Sequence, residues 1–329
     1  TEKVKYPLKS SDVMQRRDLL KVMGVTTAGF FLGQNLFSQH QPYNVPVLNG
    51  KEVDPIYRHA ADYPSSGTFT HSPIQWEEIR KGLDFNRFIV YRKGQPIDSI
   101  AVVKINPEYN DFRMFHDKSR MNVERWQKTI CADVVFNSSY YEPDLEPTGV
   151  AIIDGKVGGN LYNKKMAGAF LANPTKKTFP RAKIMDLRKE RIDYRKGEWL
   201  TGIESFPMLL DTEKNPCEYK DKKGNVLSAR TKWHANRTVI CDDYDNNIIV
   251  LATEGGYFSL YDMGLFLRDS QLNVKHGLNL DGGYESQLAI KTKTFDYVTY
   301  GQWETQGEKD ISIPLIRIPI PAVLGVFPR

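Results

Sequence analysis

The order of apolar and polar positions divides the chain of 329 residues into three stretches. Near the N-terminus a moderately apolar run, Val22 to Phe37, follows a polar, net-basic segment. Residues 39–75 show no sustained period and are rich in Pro, Gly, Ser, His and Tyr, which predicts an extended arm with little regular structure. From Trp76 onward, short apolar runs alternate with turn signals. Residues 87–92 and 100–105 read as strands separated by a Lys-Gly-Gln-Pro turn at 93–96. Residues 132–136 read as a buried strand, and 149–153 followed by Asp154-Gly155 as a hairpin. Further strands are expected at 203–210, 238–241, 248–253, 278–280 and 315–320. Helical spacing occurs at 122–128 and at 259–267, where Leu260, Met263, Phe266 and Leu267 fall on or near one face. Strands outnumber helices. The expected fold is α/β (α+β): a mixed β-sheet core with packed helices, forming a single globular domain over 76–329.

Composition changes this picture little. Apolar residues make up 40% and charged residues 26%, ordinary for a soluble globular chain. The 17 Tyr, 16 Phe and 5 Trp suit a β-rich core, and they also suit platforms for sugar rings. The net charge of +5 is scattered along the chain, which argues against nucleic acid as a partner, since that needs a concentrated basic face. Such a mild excess is compatible with an anionic substrate or a membrane surface. Cys131, Cys217 and Cys241 form no C-x-x-C pair, so no zinc site is expected. A Cys217–Cys241 disulfide and three buried thiols both remain open. There is no G-x-S-x-G, H-E-x-x-H or phosphate loop, and the reading calls for neither metal nor cofactor.

The N-terminal stretch carries an address. Arg16-Arg17 precedes Asp18-Leu19-Leu20-Lys21 and then the apolar run, the order of a twin-arginine export signal. No A-x-A cleavage pattern follows around Asn35–Gln39, and residues 1–38 are expected to be either a twin-arginine signal or such a signal retained as a membrane anchor. A spanning helix needs about 20 residues, and residues 19–38 just supply them if Lys21 snorkels. The expected location is the periplasm, by the twin-arginine route, with anchoring in the inner membrane. Residues 39–75 would be the tether, and helix and arm together offer a contact to a membrane protein complex.

The segment Leu278-Asn279-Leu280-Asp281-Gly282-Gly283-Tyr284-Glu285-Ser286 holds the most chemical information. A short apolar strand delivers Asp281 to its end, and two glycines then permit a tight turn or a close approach of substrate. Asp-Gly is also a common hairpin turn. Other elements accompany it in order: Asn137-Ser138-Ser139-Tyr140-Tyr141, Asp154-Gly155-Lys156, Glu204-Ser205-Phe206-Pro207, Arg237-Thr238-Val239-Ile240 and Ser259-Leu260-Tyr261-Asp262. Taken together, from about Gly82 to the C-terminus, these motifs resemble the phosphodiester glycosidase family. The chain departs from the family's usual pattern with Ser138 and Ser139 in place of glycines and with Tyr284-Glu285 in place of Gly-Ser.

The resemblance implies cleavage between a sugar's anomeric carbon and a phosphate oxygen, with a carbohydrate phosphodiester of an envelope glycan or glycolipid as substrate. The transition state resembles an oxocarbenium ion, which a carboxylate stabilises. Asp281 is the first candidate, with Glu204 and Glu285 next. Arg237 is suited to grip phosphate oxygens through two parallel hydrogen bonds. Asn137, the Gly282 and Gly283 amides, Glu285 and Ser286 are expected to bind substrate. Plainer roles stand beside these: Arg237 paired with Asp242 or Asp243, Asn137 capping a turn, Glu204 solvated on a strand, and Tyr140-Tyr141 in the core. His234 and His276 lack any partner spacing that suggests a triad. The rival to an enzyme is a membrane-tethered accessory subunit that keeps the fold without turnover.

Overall fold

A computed structural model describes residues 47–48, 51–52, 67–216, 234–306, 309–312 and 317–329. The expected signal or anchor helix, most of the arm and Cys217 lie outside these residues. Residues 1–52 and 53–329 are two separate compact units. In the first, the described part is an antiparallel ladder of Val47–Leu48 with Lys51–Glu52.

The second unit is built from three large antiparallel sheets, whose strands are numbered here in chain order, beside a two-stranded antiparallel ladder of Trp303–Gln306 with Lys309–Ser312. The first sheet holds β1 (Phe69–His71), β2 (Glu77–Arg80), β3 (Leu83–Arg92), β4 (Gln95–Ile105), β12 (Met208–Leu210), β13 (Thr238–Asp243), β14 (Ile248–Thr253) and β15 (Val274–Asn279). Their order is β12-β15-β13-β14-β4-β3-β1, with β2 also on β3. The second sheet runs β8-β7-β11-β9-β10, from β7 (Val150–Ile153), β8 (Lys156–Gly159), β9 (Gly168–Pro174), β10 (Ala182–Asp186) and β11 (Trp199–Ser205). The third runs β17-β16-β6-β18-β5, from β5 (Asn110–Met121), β6 (Val134–Asn137), β16 (Gln287–Lys291), β17 (Asp296–Tyr300) and β18 (Ile320–Pro328).

Strand alternation explains how the sheets pack. In β4, Ala101, Val103 and Ile105 face a core shared by all three sheets, while Ile100 and Val102 face the opposite side. The shared core also takes Val134 and Phe136 of β6, Ala151 of β7, Phe170 of β9 and Ile203 of β11. The outer faces are covered separately. Helix α2 (Leu260–Asp269) sets Met263, Phe266 and Leu267 against the first sheet. Helix α1 (Val123–Ile130) sets Val123 and Trp126 against the third. Central strands are therefore apolar on both faces, and their sequences lack a polar alternation.

The expectation of a mixed α/β core is corrected: the fold is mostly β. Every ladder in the three sheets is antiparallel. Antiparallel strands need only hairpins and loops between them, not helical crossovers. The two α-helices found among the described residues serve as covers. The expected strand over 203–210 is really two strands in different sheets, β11 and β12, because Pro207 has no amide to continue the β11 ladder. The sheet begins at Phe69, inside the stretch read as an arm, and the closing strand is Ile320–Pro328 rather than 315–320. The hairpin at Asp154-Gly155 is present, both residues having positive φ (49° and 77°), as a two-residue turn of this kind requires. Cys241 is a buried free thiol.

Candidate active site

Three sheets meet at one seam, and most of the polar residues singled out in the sequence lie there at strand ends. Asn137 ends β6, Glu204 is the penultimate residue of β11, and Arg237 directly precedes β13. The chain leaves β15 at Asn279, passes through Asp281–Ser286 and enters β16 at Gln287, crossing from the first sheet to the third.

Asn137 ties this crossing together. Its Oδ1 accepts from Thr238 Oγ1 (2.7 Å) and from the Gln287 amide (3.0 Å). Its Nδ2 donates to the carbonyls of Asp281 (2.8 Å) and Ser138 (3.2 Å). A carboxamide has two donor hydrogens and two acceptor lone pairs, so protein partners use all of them. The geometry makes Asn137 a positioning residue for Asp281. Ser286 joins the same network, its Oγ 2.8 Å from Thr238 Oγ1. The Asp281 amide donates to the Ser138 carbonyl at 3.3 Å.

The glycines act by closeness. A Cβ on Gly282 would stand 2.9 Å from the Asn236 carbonyl oxygen and 3.4 Å from Arg237 Nη1. Gly283 has φ +69°, and a Cβ there would lie 2.5 Å from Glu304 Oε2. Both amides are engaged within the protein: Gly282 N–H donates to Asp281 Oδ1 (3.0 Å) and Gly283 N–H to the Asn236 carbonyl (2.9 Å). The sequence expected these amides to hold substrate; in this structure both donate within the protein.

Arg237 thus lies beside the Asp281–Gly282 backbone. Its Nε donates to the Phe258 carbonyl (3.0 Å), and its amide donates to Thr253 Oγ1 (2.9 Å). The two acids named as plainer partners are committed elsewhere. Asp242 Oδ1 accepts from the His276 amide (3.0 Å) and lies 2.8 Å from His276 Nδ1. Asp243 caps the following turn through the amides of Asp245 (2.9 Å) and Asn247 (2.7 Å). His276 therefore has an acidic partner that linear spacing did not reveal, because the two residues face each other across antiparallel strands.

Glu204 stands apart from this group. It lines a shallow hollow together with Ser138, Ser139, Tyr140, Tyr141 and His116. Glu204 Oε1 accepts from the Tyr194 hydroxyl (2.5 Å) and Oε2 from the Val150 amide (3.1 Å). Burial pushes its carboxyl above the ordinary value, against the opposing pull of those two hydrogen bonds. Neither Asp281 nor Arg237 nor Asn137 lies on this wall. The loop 138–141 connects the two places. Ser138 accepts from the Asp281 amide, and the Tyr141 hydroxyl donates to Glu285 Oε1 at 3.4 Å. Asp281 and Arg237 are only 4% and 7% exposed, so the hollow is the more open half.

Sequence reading missed several members: Thr238, Tyr194 and the pair Ser139–Ser205 (2.9 Å between hydroxyls). Thr238 and Ser139 lay inside quoted motifs, so a signal existed; Tyr194 had none. Tyr140 and Tyr141, taken as core, line the hollow. Ser259-Leu260-Tyr261-Asp262 proves to be a helix start: the Ser259 side chain accepts the Asp262 amide (3.1 Å), and Asp262 pairs with buried Arg92 (3.1 Å).

The sequence profile of the phosphodiester glycosidases matches residues 131–327, which include the whole seam. The chain belongs to the phosphodiester glycosidase family. No curated protein sequence matches it. Among solved structures it is similar to a zebrafish N-acetylglucosamine-1-phosphodiester alpha-N-acetylglucosaminidase catalytic domain, auto-inhibited by its pro-peptide. That likeness has 17% identity and a TM-score of 0.54, covering 83% of this chain and 94% of the other, and it is a likeness of fold. A hypothetical protein from Synechocystis is similar at 15% identity and a TM-score of 0.47, over 78% of this chain and 64% of the other. For this glycosidase-family chain, the strands before residue 131 still complete the architecture, since β3 and β4 join the first sheet and β5 the third.

Proposed function

We propose that the chain hydrolyses the bond between a sugar's anomeric carbon and a phosphodiester oxygen, in an envelope glycan or glycolipid. The observation that supports this reading is that Arg237 Nη1 would stand 3.4 Å from a Cβ on Gly282, the residue after Asp281, within the stretch that matches the family. The substrate named for the zebrafish enzyme, an N-acetylglucosamine-1-phosphodiester, has the same type of linkage.

The division of labour follows charge. As the anomeric C–O bond breaks, positive charge grows on the sugar and negative charge on the departing phosphate. The Asp281 carboxylate serves the first, directly or by activating water. The Arg237 guanidinium serves the second. A phosphate monoester is a good leaving group and needs little protonation. Glu204, its carboxyl pushed up by burial, supplies a proton from the hollow where one is required. The hollow's tyrosines give a sugar ring an apolar face and hydroxyls to meet. Export through the twin-arginine route and retention at the inner membrane complete the proposal, supported by the sequence of residues 11–38. No feature of the described residues favours the accessory-subunit reading over the enzyme.

A panel of sugar-1-phosphodiesters differing in sugar and in the group beyond the phosphate tests this. Release of free sugar from at least one, with the phosphate left on the other product, is the expected result. Purified full-length protein inert towards the whole panel would speak for the non-catalytic alternative.

A further inference from the structure

Exposed apolar side chains are concentrated on one part of this protein. Among the described residues, the exposed large hydrophobics are Tyr109, Val157, Leu161, Tyr162, Leu200 and Tyr244. Four of these six lie on, beside or directly after the hairpin over 150–159. Val157 lies on the edge strand β8, Leu161 and Tyr162 follow it, and Leu200 of β11 lies against the hairpin turn. The Gly155 amide donates to the Leu200 carbonyl (2.9 Å), and a Cβ on Gly155 would touch Leu200 Cδ2 at 3.3 Å. Tyr162 is 87% exposed, an extreme value for a tyrosine that could have packed.

Basic residues outnumber acidic ones around this patch. From residue 155 to 185 the sequence contains no Asp or Glu, yet it holds Lys156, Lys164, Lys165, Lys176, Lys177, Arg181 and Lys183. Lys176 is paired with Glu198, and Arg181 with Asp111. Lys156, Lys164 and Lys165 are exposed, and no salt bridge to them is found among the described residues. The acids that flank this stretch in sequence are Asp154, in the hairpin turn, and Asp186, which is paired with Arg188 (2.6 Å); Glu142, Asp144 and Glu146 lie in the preceding loop, where Glu146 is held by Lys118 (2.7 Å).

We propose that this hairpin is a docking surface for an anionic lipid bilayer. Aromatic and aliphatic side chains that reach into the headgroup boundary, ringed by lysines that meet lipid phosphates, are what interfacial attachment needs. A polyanion without an apolar layer would use the lysines and leave Leu161 and Tyr162 idle. The location has a consequence. The Asn160 amide donates to the Gly149 carbonyl (3.3 Å), and Asn163 Nδ2 donates to the Thr148 carbonyl (2.9 Å). Gly149 and Val150 also wall the Glu204 hollow. Docking through this hairpin brings the hollow to the bilayer surface, where a lipid-linked phosphodiester presents its headgroup. The docking itself does not depend on the chain being a glycosidase.

The test uses the full chain and sedimentation with vesicles of equal parts phosphatidylcholine and phosphatidylglycerol, beside vesicles of phosphatidylcholine alone. The N-terminal apolar run is common to every variant, so differences report the hairpin. Leu161→Asp with Tyr162→Asp, and separately Lys164→Glu with Lys165→Glu, should each weaken binding to the anionic vesicles by about tenfold or more. Amides at 157–165 should exchange hydrogen more slowly when the native chain is on those vesicles. Both variants should turn over a small soluble sugar phosphodiester as the native chain does. That last readout keeps failure of the docking apart from failure of the enzymatic reading. Variants that bind like the native chain, with exchange at 157–165 unchanged by vesicles, would overturn the proposal. Sensitivity to the lysine changes alone, equal for vesicles and for soluble dextran sulfate, would overturn it too.

Discussion

Asn137 shows how much of a residue's surroundings lies beyond the reach of sequence alone. Its type and its place after an apolar strand marked it as part of the site. Nothing in the linear order could show that Thr238, Gln287, Asp281 and Ser138 would use its entire amide. Asn137→Ala leaves the Asp281 carbonyl and the Gln287 amide without this partner in a buried place. The expected loss is about 2–4 kcal/mol of unfolding free energy, read by urea denaturation. Asn137→Asp keeps the acceptor and should restore only part of it. For Arg237 the sequence left phosphate and a local acid both open, and the fold engages Asp242 with His276 and Asp243 with a turn. Arg237→Lys should lower kcat/KM by about tenfold or more without loss of fold, because an ammonium does not reproduce a two-pronged grip.

At the level of elements, the hairpin at Asp154-Gly155 and the two helices could be read because their signals are local: a turn dipeptide, and apolar residues at helical spacing. The switch at Phe206-Pro207 between two sheets and the entirely antiparallel pairing could not, since both depend on partners distant in sequence. The start of α2 was legible as the start of a helix, but the burial of Asp262 against Arg92 was not. There Asp262 takes part in helix capping and in a buried pair with Arg92, whose guanidinium also reaches the Tyr257 hydroxyl (2.8 Å). Arg92→Met leaves Asp262 buried without its cation, and the expected cost is about 3–5 kcal/mol. The double change Arg92→Met with Asp262→Asn should recover a large part. A double variant no more stable than the single one would contradict the pairing argument.

For the molecule as a whole, the family was legible because several motifs recur in order, and the sheets were not, because three of them share one core. Stability should follow pH through a group that no motif indicated. Asp98 is completely buried on β4, and burial pushes its carboxyl up to about 7, against amide hydrogen bonds from Gly255, Tyr257 and Ser99. A carboxyl raised in the folded state holds a proton there that the unfolded chain has already released. Its contribution to stability is therefore full below about pH 4 and declines as pH rises to about 7, by a few kcal/mol in all. Asp98→Asn should flatten that decline in melts taken across the window. Export belongs to the same scale: Arg16→Lys with Arg17→Lys should leave the protein in the cytoplasm, and unchanged export would remove the twin-arginine assignment. The central claim is that Asp281 acts on the anomeric carbon. Its most direct test is sugar release from a sugar-1-phosphodiester by the native chain and by Asp281→Asn at matched thermal stability. The account predicts a fall in kcat of about a thousandfold or more; an Asp281→Asn variant with native turnover would contradict it.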